Sequence, residues 1–125
     1  MPDILVVDDS EANRLLLSLL LKKAAPHRVV EAANGEEGVE LFAARSFGLV
    51  LMDLEMPGLD GIAAAGRMRA VEAEQNRPRT PLAAMTAHDV ASLGPDCAAA
   101  GFDERLQKPL TRDVVQDLLR RHGLA

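Results

Sequence analysis

Leu49-Val50-Leu51-Met52 runs without a polar break into Asp53, and Pro57-Gly58 follows shortly after. A strand needs apolar side chains in both directions only when both faces of its sheet are covered. The run therefore predicts a buried strand of a parallel sheet over 48–52. Pro-Gly is a strong turn signal and stops it. Asp53 thus stands where a covered strand meets a surface loop, the end of a strand at which open α/β sheets bind their ligands. On this stretch alone, Asp53 reads equally well as a simple loop cap.

The pattern recurs along the chain. Ile4-Leu5-Val6-Val7 is a second unbroken apolar run and ends in Asp8-Asp9. Val29-Val30 with Ala32 makes a short strand, and Leu82-Ala83-Ala84-Met85 makes another that ends at Thr86. Phe102 to Leu106 is a more polar fifth strand, expected near an edge and followed by Gln107, Lys108 and Pro109.

Between these strands lie helical segments. Ser10 caps the first, which runs to about Ala24 and is stopped by Pro26. Its leucines cover most of its circumference, which implies deep burial or a partner on one face. Asn34 opens the second, with Glu37 placed as in a capping box and Val39, Phe42 and Ala43 on one face. Gly38 weakens this helix somewhat. The third spans about 61–73, with Ala64, Met68 and Val71 inward and Arg67, Arg69 and Glu72 toward water. The fourth, about 89–100, is interrupted by Gly94-Pro95 and closed by Gly101. Thr111 caps the last, with Val114, Leu118 and the stem of Arg121 as its stripe. The βα alternation argues for one α/β domain over 1–125, a parallel sheet with helices on both faces.

Composition narrows the function. At 125 residues the chain is long enough for one proper core. A net charge of −5 argues against nonspecific nucleic-acid binding. Three Phe with no Trp or Tyr disfavour base stacking and aromatic cofactor pockets. A lone cysteine, Cys97, cannot form an internal disulfide, so it reads as a small core filler and a cytoplasmic setting fits. The longest greasy run, Leu15 to Leu21, is too short to span a bilayer. No signal peptide is expected ahead of the first strand, and no output domain after the last helix. His27 and His122 have no metal-like spacing and are expected at the surface.

The polar residues expected at the carboxyl ends of the strands are Asp8, Asp9, Asp53, Thr86 and Lys108. Three clustered carboxylates raise one another's pKa, and a hard cation relieves that. Oxygen ligands completed by waters suit Mg²⁺. An aspartate beside such an ion can act as nucleophile toward a phosphoryl group, with an ammonium and a hydroxyl to neutralise and bond its oxygens. The chemistry points to an aspartyl-phosphate site.

The same residues carry a resemblance. Asp8-Asp9, Met52-Asp53 with Met56-Pro57-Gly58 and Asp60-Gly61, Thr86-Ala87, and Lys108-Pro109 match, in order and spacing, the receiver domain of two-component response regulators, over essentially the whole chain. Asn13-Arg14 and Met85-Thr86-Ala87-His88 are most similar to receivers attached to hybrid sensor kinases. The resemblance implies a flavodoxin-like receiver fold, a doubly wound five-stranded sheet in the order 2-1-3-4-5 with five helices. It implies Asp53 as phosphoacceptor from the phosphohistidine of a sensor kinase or histidine phosphotransfer protein. Asp9, Asp53 and the Glu55 carbonyl would hold Mg²⁺, with Asp8 acting through water. Lys108 would pair with a phosphoryl oxygen, next to a cis bond to Pro109. Thr86 would move to the phosphoryl group, and small Ala87 would leave access for donor and water.

It further implies a domain that assists its own phosphotransfer and dephosphorylation without being a conventional enzyme. It would either signal by binding a protein partner, as a monomer or weak homodimer with no nucleic acid or membrane involved, or be a fragment of a longer hybrid protein. Glu55 and His88, each two residues past a site residue, would tune hydrolysis by shaping water access. Two departures stand out. Arg105 occupies the place where many members carry a switching aromatic. Gly94-Pro95 breaks a helix on the usual output face, which is expected to be looser or differently shaped. The main rival is a haloacid-dehalogenase-like phosphohydrolase, but that family wants an aspartate where this chain has Glu55. A flavodoxin-like carrier and a phosphate-independent receiver are the others. Asp8-Asp9 would repel a flavin phosphate, and the full set of site residues argues against the last.

Overall fold

The computed structural model describes residues 2–87 and 94–125. Ten elements alternate: β1 (Ile4–Val7), α1 (Glu11–Ala24), β2 (Val29–Ala32), α2 (Gly35–Ala44), β3 (Leu49–Asp53), α3 (Gly61–Glu74), β4 (Leu82–Thr86), α4 (Gly94–Ala100), β5 (Glu104–Gln107) and α5 (Arg112–Arg121). All strand pairings are parallel, and the sheet order is β2-β1-β3-β4-β5. The expected doubly wound sheet is therefore present, with the polar fifth strand at an edge. The expected start of the fourth helix near Asp89 lies outside the described residues, as does His88. Gly94 and Pro95 fall within described helix, and the expected looseness around them rests on residues not described.

Strand alternation sorts the core into two halves, because successive side chains point to opposite faces of the sheet. Leu5, Val7, Val50, Met52, Leu82 and Ala84 pack under α2, α3 and α4 with Phe42, Met68 and Cys97. Ile4, Val6, Leu49, Leu51, Ala83 and Met85 pack under α1 and α5 with Leu17, Leu21, Val115 and Leu118. Every residue of β1, β3 and β4 is buried, as the unbroken apolar runs require. Cys97 is 1% exposed and fills space, as expected.

The caps are those expected. Ser10, Asn34 and Thr111 each accept from the amide three residues on, and Asp60 does the same for α3. Gly38 has a packing reason that offsets its low propensity. A Cβ there would come within 2.8 Å of Val7, so the glycine lets α2 lie against β1.

Three expectations about side-chain exposure are corrected. Glu72 and Arg69 do not face water. Glu72 is 7% exposed and pairs with Arg69 at 2.8 Å. Arg69 also donates to the carbonyls of Thr80 and Gly101 and to Asp103, joining α3 to the starts of β4 and β5. Here tertiary carbonyls made a polar helix face into an interior one. On α5 the buried stripe is Val115, Leu118 and Leu119; Leu118 is inward as expected, but Val114 is exposed and Val115 takes its place. Arg121 pairs with Glu104 and Asp117 and does not contribute a buried stem. His27 is buried: its ring nitrogens lie 3.1 Å from the Pro2 carbonyl oxygen and 2.5 Å from that of Leu124. Spacing could not reveal this, because the partners come from opposite ends of the described chain.

Arginines also finish helices where no basic residue stands in the last turn. Arg77 donates to the terminal carbonyls of α2 at Phe42 and Ala43 while lying over the Phe42 ring. Among the described residues no buried side-chain polar atom lacks a partner.

Removing Arg69 would leave Glu72 as a buried charge without its cation. Arg69→Met is expected to lower stability by about 3 kcal/mol, and Arg69→Met with Glu72→Leu to recover part of that loss. Urea denaturation of the two variants against wild type measures both effects.

Candidate functional site

Parallel strands in register end on one rim. Val7 pairs with Met52, so Asp8 and Asp53 follow side by side. Asp53 pairs with Met85 and Thr86 with Gln107, which brings Thr86 and Lys108 to the same edge. Each strand stops there for a local reason. Asp8 turns the chain by accepting from the Ser10 amide at 2.9 Å, and its backbone oxygen accepts from Arg14 at 2.7 Å. Asp53 accepts from the Glu55 amide at 3.0 Å. Gly61 lets α3 start directly against the strand end, since a Cβ there would meet the Asp53 carbonyl oxygen at 2.4 Å.

The three carboxylates meet as the sequence implied. One oxygen each of Asp8, Asp9 and Asp53 lie within 4.8 Å of one another. Asp8 and Asp53 are buried and Asp9 is exposed. Lys108 Nζ donates to Asp8 Oδ2 at 3.0 Å and lies 3.1 Å from Asp53 Oδ2. The Lys108–Pro109 bond is cis.

Two ionisations are shifted. Burial pushes the Asp53 carboxyl above its ordinary 3.8, and the neighbouring Asp8 charge adds to it. The Glu55 amide and the Lys108 ammonium oppose this without cancelling it. For Lys108 burial acts downward, but hydrogen bonds and charge from Asp8 and Asp53 outweigh it and hold the amine above its ordinary 10.5. It stays an ammonium throughout the neutral range.

Thr86 is 1% exposed, and its hydroxyl donates to Glu55 Oε1 at 3.2 Å. Ala87 follows at the exposed rim, and Arg105 is exposed on β5 opposite Ala84. Leu106 points to the α1/α5 face, so Arg105 points to the α4 face, the same side as Thr86. The Glu55–Thr86 contact was not legible in the sequence. It joins the loop after β3 to the last residue of β4, which only strand pairing brings together.

This geometry agrees with the family model of the response regulator receiver domain, which matches residues 4–120. The chain belongs to that family. The receiver is similar to part of the sensor protein GacS of Pseudomonas syringae pv. syringae, at 40% identity over 125 residues, 99% of this chain and 14% of that protein. It is 34% identical over 119 residues to part of the signal transduction histidine-protein kinase BarA of Escherichia coli K12, 95% of this chain and 12% of that protein. The receiver thus spans about a seventh or less of these relatives.

Among solved structures it resembles the receiver domain of the sensor histidine kinase PA1611 from Pseudomonas aeruginosa PAO1, which holds a magnesium ion in its active-site cleft. That match has 31% identity, 98% coverage of each chain and a TM-score of 0.85. It also resembles a chain of the Saccharomyces cerevisiae co-crystal of the histidine phosphotransfer signaling protein Ypd1 with the receiver domain of its downstream response regulator Ssk1, at 25% identity and a TM-score of 0.89, covering 98% of this chain and 90% of that one. The receiver's role is phosphorelay signal transduction, and the dehalogenase-like reading finds no support among these relatives.

The donor set fits Mg²⁺. It is all oxygen, closely spaced, and open to water on the Asp9 side, as an ion that keeps several waters requires. No helix among the described residues is long and apolar enough to cross a membrane.

The raised Asp53 value has a sign for stability. Ionising Asp53 is harder in the fold than in the unfolded chain. Its charge therefore costs stability above the folded value, and the cost vanishes as pH falls below 3.8. In chelator, Asp53→Asn is expected to have a higher urea midpoint than wild type at pH 7, with the gap closing as pH drops toward 4.

Proposed function

We propose that residues 1–125 form one receiver domain in which Asp53 accepts a phosphoryl group from a partner phosphohistidine. The observation that carries this reading is the single ammonium of Lys108 set between Asp8 and Asp53, at the mouth of a cluster of three carboxylates. An Asp53 oxygen attacks phosphorus, a P–O bond forms and the P–N bond breaks. The imidazole leaves with the electron pair and takes up a proton. Lys108 pairs with a phosphoryl oxygen, and Thr86 donates its hydroxyl to another. Ala87, with only a methyl, leaves room for donor and water. Asp9, Asp53 and the Glu55 carbonyl would hold Mg²⁺ directly and Asp8 through water. When bound, the ion neutralises charge on the phosphoryl oxygens. Arg105 is assigned a modulating role, and so is His88, which lies outside the described residues.

The donor would dock beside this site on α1. Leu15, Leu16 and Leu19 are 60%, 44% and 51% exposed and form one patch at helical spacing. Leu16 also lines a cavity of about 70 Å³ with Asn13, Asp8, Lys108 and Pro109, so the patch reaches the site itself. The phosphotransfer complex among the structural neighbours supports a partner of that class, and the hybrid-kinase relatives support either a kinase or a phosphotransfer protein. Output then passes to a protein partner.

Acetyl phosphate with Mg²⁺ is expected to add one phosphoryl group by intact mass to wild type, and none to Asp53→Asn or in chelator. Leu19→Asp is expected to slow transfer from a phosphorylated histidine phosphotransfer protein at least tenfold while leaving labelling by acetyl phosphate unchanged. Equal loss with both donors would remove the docking role.

A further inference from the structure

Glu55 touches the site at two points. Its amide donates to Asp53 Oδ1 at 3.0 Å, and its carboxylate accepts from the Thr86 hydroxyl at 3.2 Å. One residue therefore spans the acceptor on β3 and the hydroxyl at the end of β4. The carboxylate end is exposed, whereas Thr86 is buried.

A hydroxyl has one proton to donate. While Thr86 donates it to Glu55, the same proton is not available to a group on Asp53. A carboxylate is a charge-assisted acceptor, stronger than a neutral one, so this hold biases the hydroxyl in the phosphate-free protein. A phosphoryl group brings close to two negative charges and three strong acceptor oxygens. Placed on Asp53 it competes for the Thr86 proton and repels the Glu55 carboxylate, and both effects open the contact.

We propose that Glu55 is a positioning residue that latches Thr86 in the phosphate-free state, so that exchange of the Thr86 hydroxyl from Glu55 to the phosphoryl group sets the switching equilibrium. This inference rests on the phosphoacceptor reading of Asp53. It differs from a role in water access, because it acts through Thr86 and on the population of states before any hydrolysis. A latch that favours the resting state lowers the apparent affinity for anything that binds only the switched state. Glu55 thereby sets how strong a phosphoryl signal must be before this receiver responds.

The test is a double-mutant cycle read by calorimetry with beryllofluoride and Mg²⁺ as the phosphoryl mimic. Wild type binds and Asp53→Asn does not; absence of binding to wild type would overturn the phosphoacceptor reading itself. Given binding, Glu55→Ala is expected to tighten it about fivefold, close to 1 kcal/mol. Glu55→Gln, which keeps a neutral acceptor, is expected to lie between. In a Thr86→Ala background only the part of that gain due to direct charge repulsion is expected to remain, so Glu55→Ala tightens binding clearly less than it does in wild type. The Thr86 methyl signal of mimic-free Glu55→Ala should also shift toward its position in the mimic-bound wild type. A gain of the same size with and without Thr86 would show simple charge repulsion and overturn the latch. An unchanged affinity in Glu55→Ala would overturn it too, with the phosphoacceptor reading intact.

Discussion

The contact between Lys108 and the carboxylates of Asp8 and Asp53 is the constraint around which the rest of the molecule is arranged. Two buried acids side by side at the end of a sheet are unfavourable unless a cation reaches them. The ammonium that bridges these two lies 100 residues from Asp8 in sequence. It arrives only if β3, β4 and β5 are laid down in the right order and register beside β1. The site is therefore a report on the whole sheet. Even with Lys108 in place, burial leaves Asp53 harder to ionise than a free aspartate, so the proposed phosphoacceptor is also a group whose charge costs stability. Such a compromise is common at functional sites, where local consistency is given up for chemistry.

Away from that rim the fold relies mainly on arginine to join its elements. With three phenylalanines and no tyrosine or tryptophan, the space between elements is closed by guanidinium groups that reach carbonyl oxygens. Arg69 ties α3 to the starts of β4 and β5, Arg77 finishes α2, and Arg14 joins the end of β1 to Glu31 on β2. A planar fork with five donors suits this work, because it satisfies several carbonyls at once and still packs flat against apolar neighbours. Most of these struts lie at the end of the sheet away from the carboxylates. That end is braced, whereas the rim keeps its side chains in contacts that can be exchanged.

The contact between Thr86 and Glu55 is of that exchangeable kind. Strand alternation sends Thr86 to the α4 side of the sheet, together with Arg105. A change at the acceptor can therefore be felt on that face without an aromatic side chain to carry it. The exposed leucines of α1 lie across the sheet, on the side of the second core. The proposed donor-docking leucines and the face that carries Thr86 and Arg105 thus lie on opposite sides of the sheet.

The sequence alone was enough for the sheet, because burial on both faces forces unbroken apolar runs and turn residues mark their ends. Ile4–Val7 and Leu49–Asp53 could hardly form anything else, and the acids that close them announced the rim. The caps at Ser10, Asn34 and Thr111 were legible for the same reason: their partners lie three residues away. What periodicity could not reach was the fate of polar side chains with distant partners. Arg69 and Glu72 look like a solvated helix face until Thr80, Gly101 and Asp103 are brought beside them. His27 looks like a surface residue until Pro2 and Leu124 close over it, and Val114 yields to Val115 because α5 packs Val115, Leu118 and Leu119 into the core it shares with Leu17 and Leu21 of α1. Glu55 was visible as a neighbour of Asp53, but its hold on Thr86 exists only once β3 and β4 are paired. Short-range preferences act between residues close along the chain, and so they can be read from it. Hydrogen bonds across the fold depend on distances that only the packed structure defines.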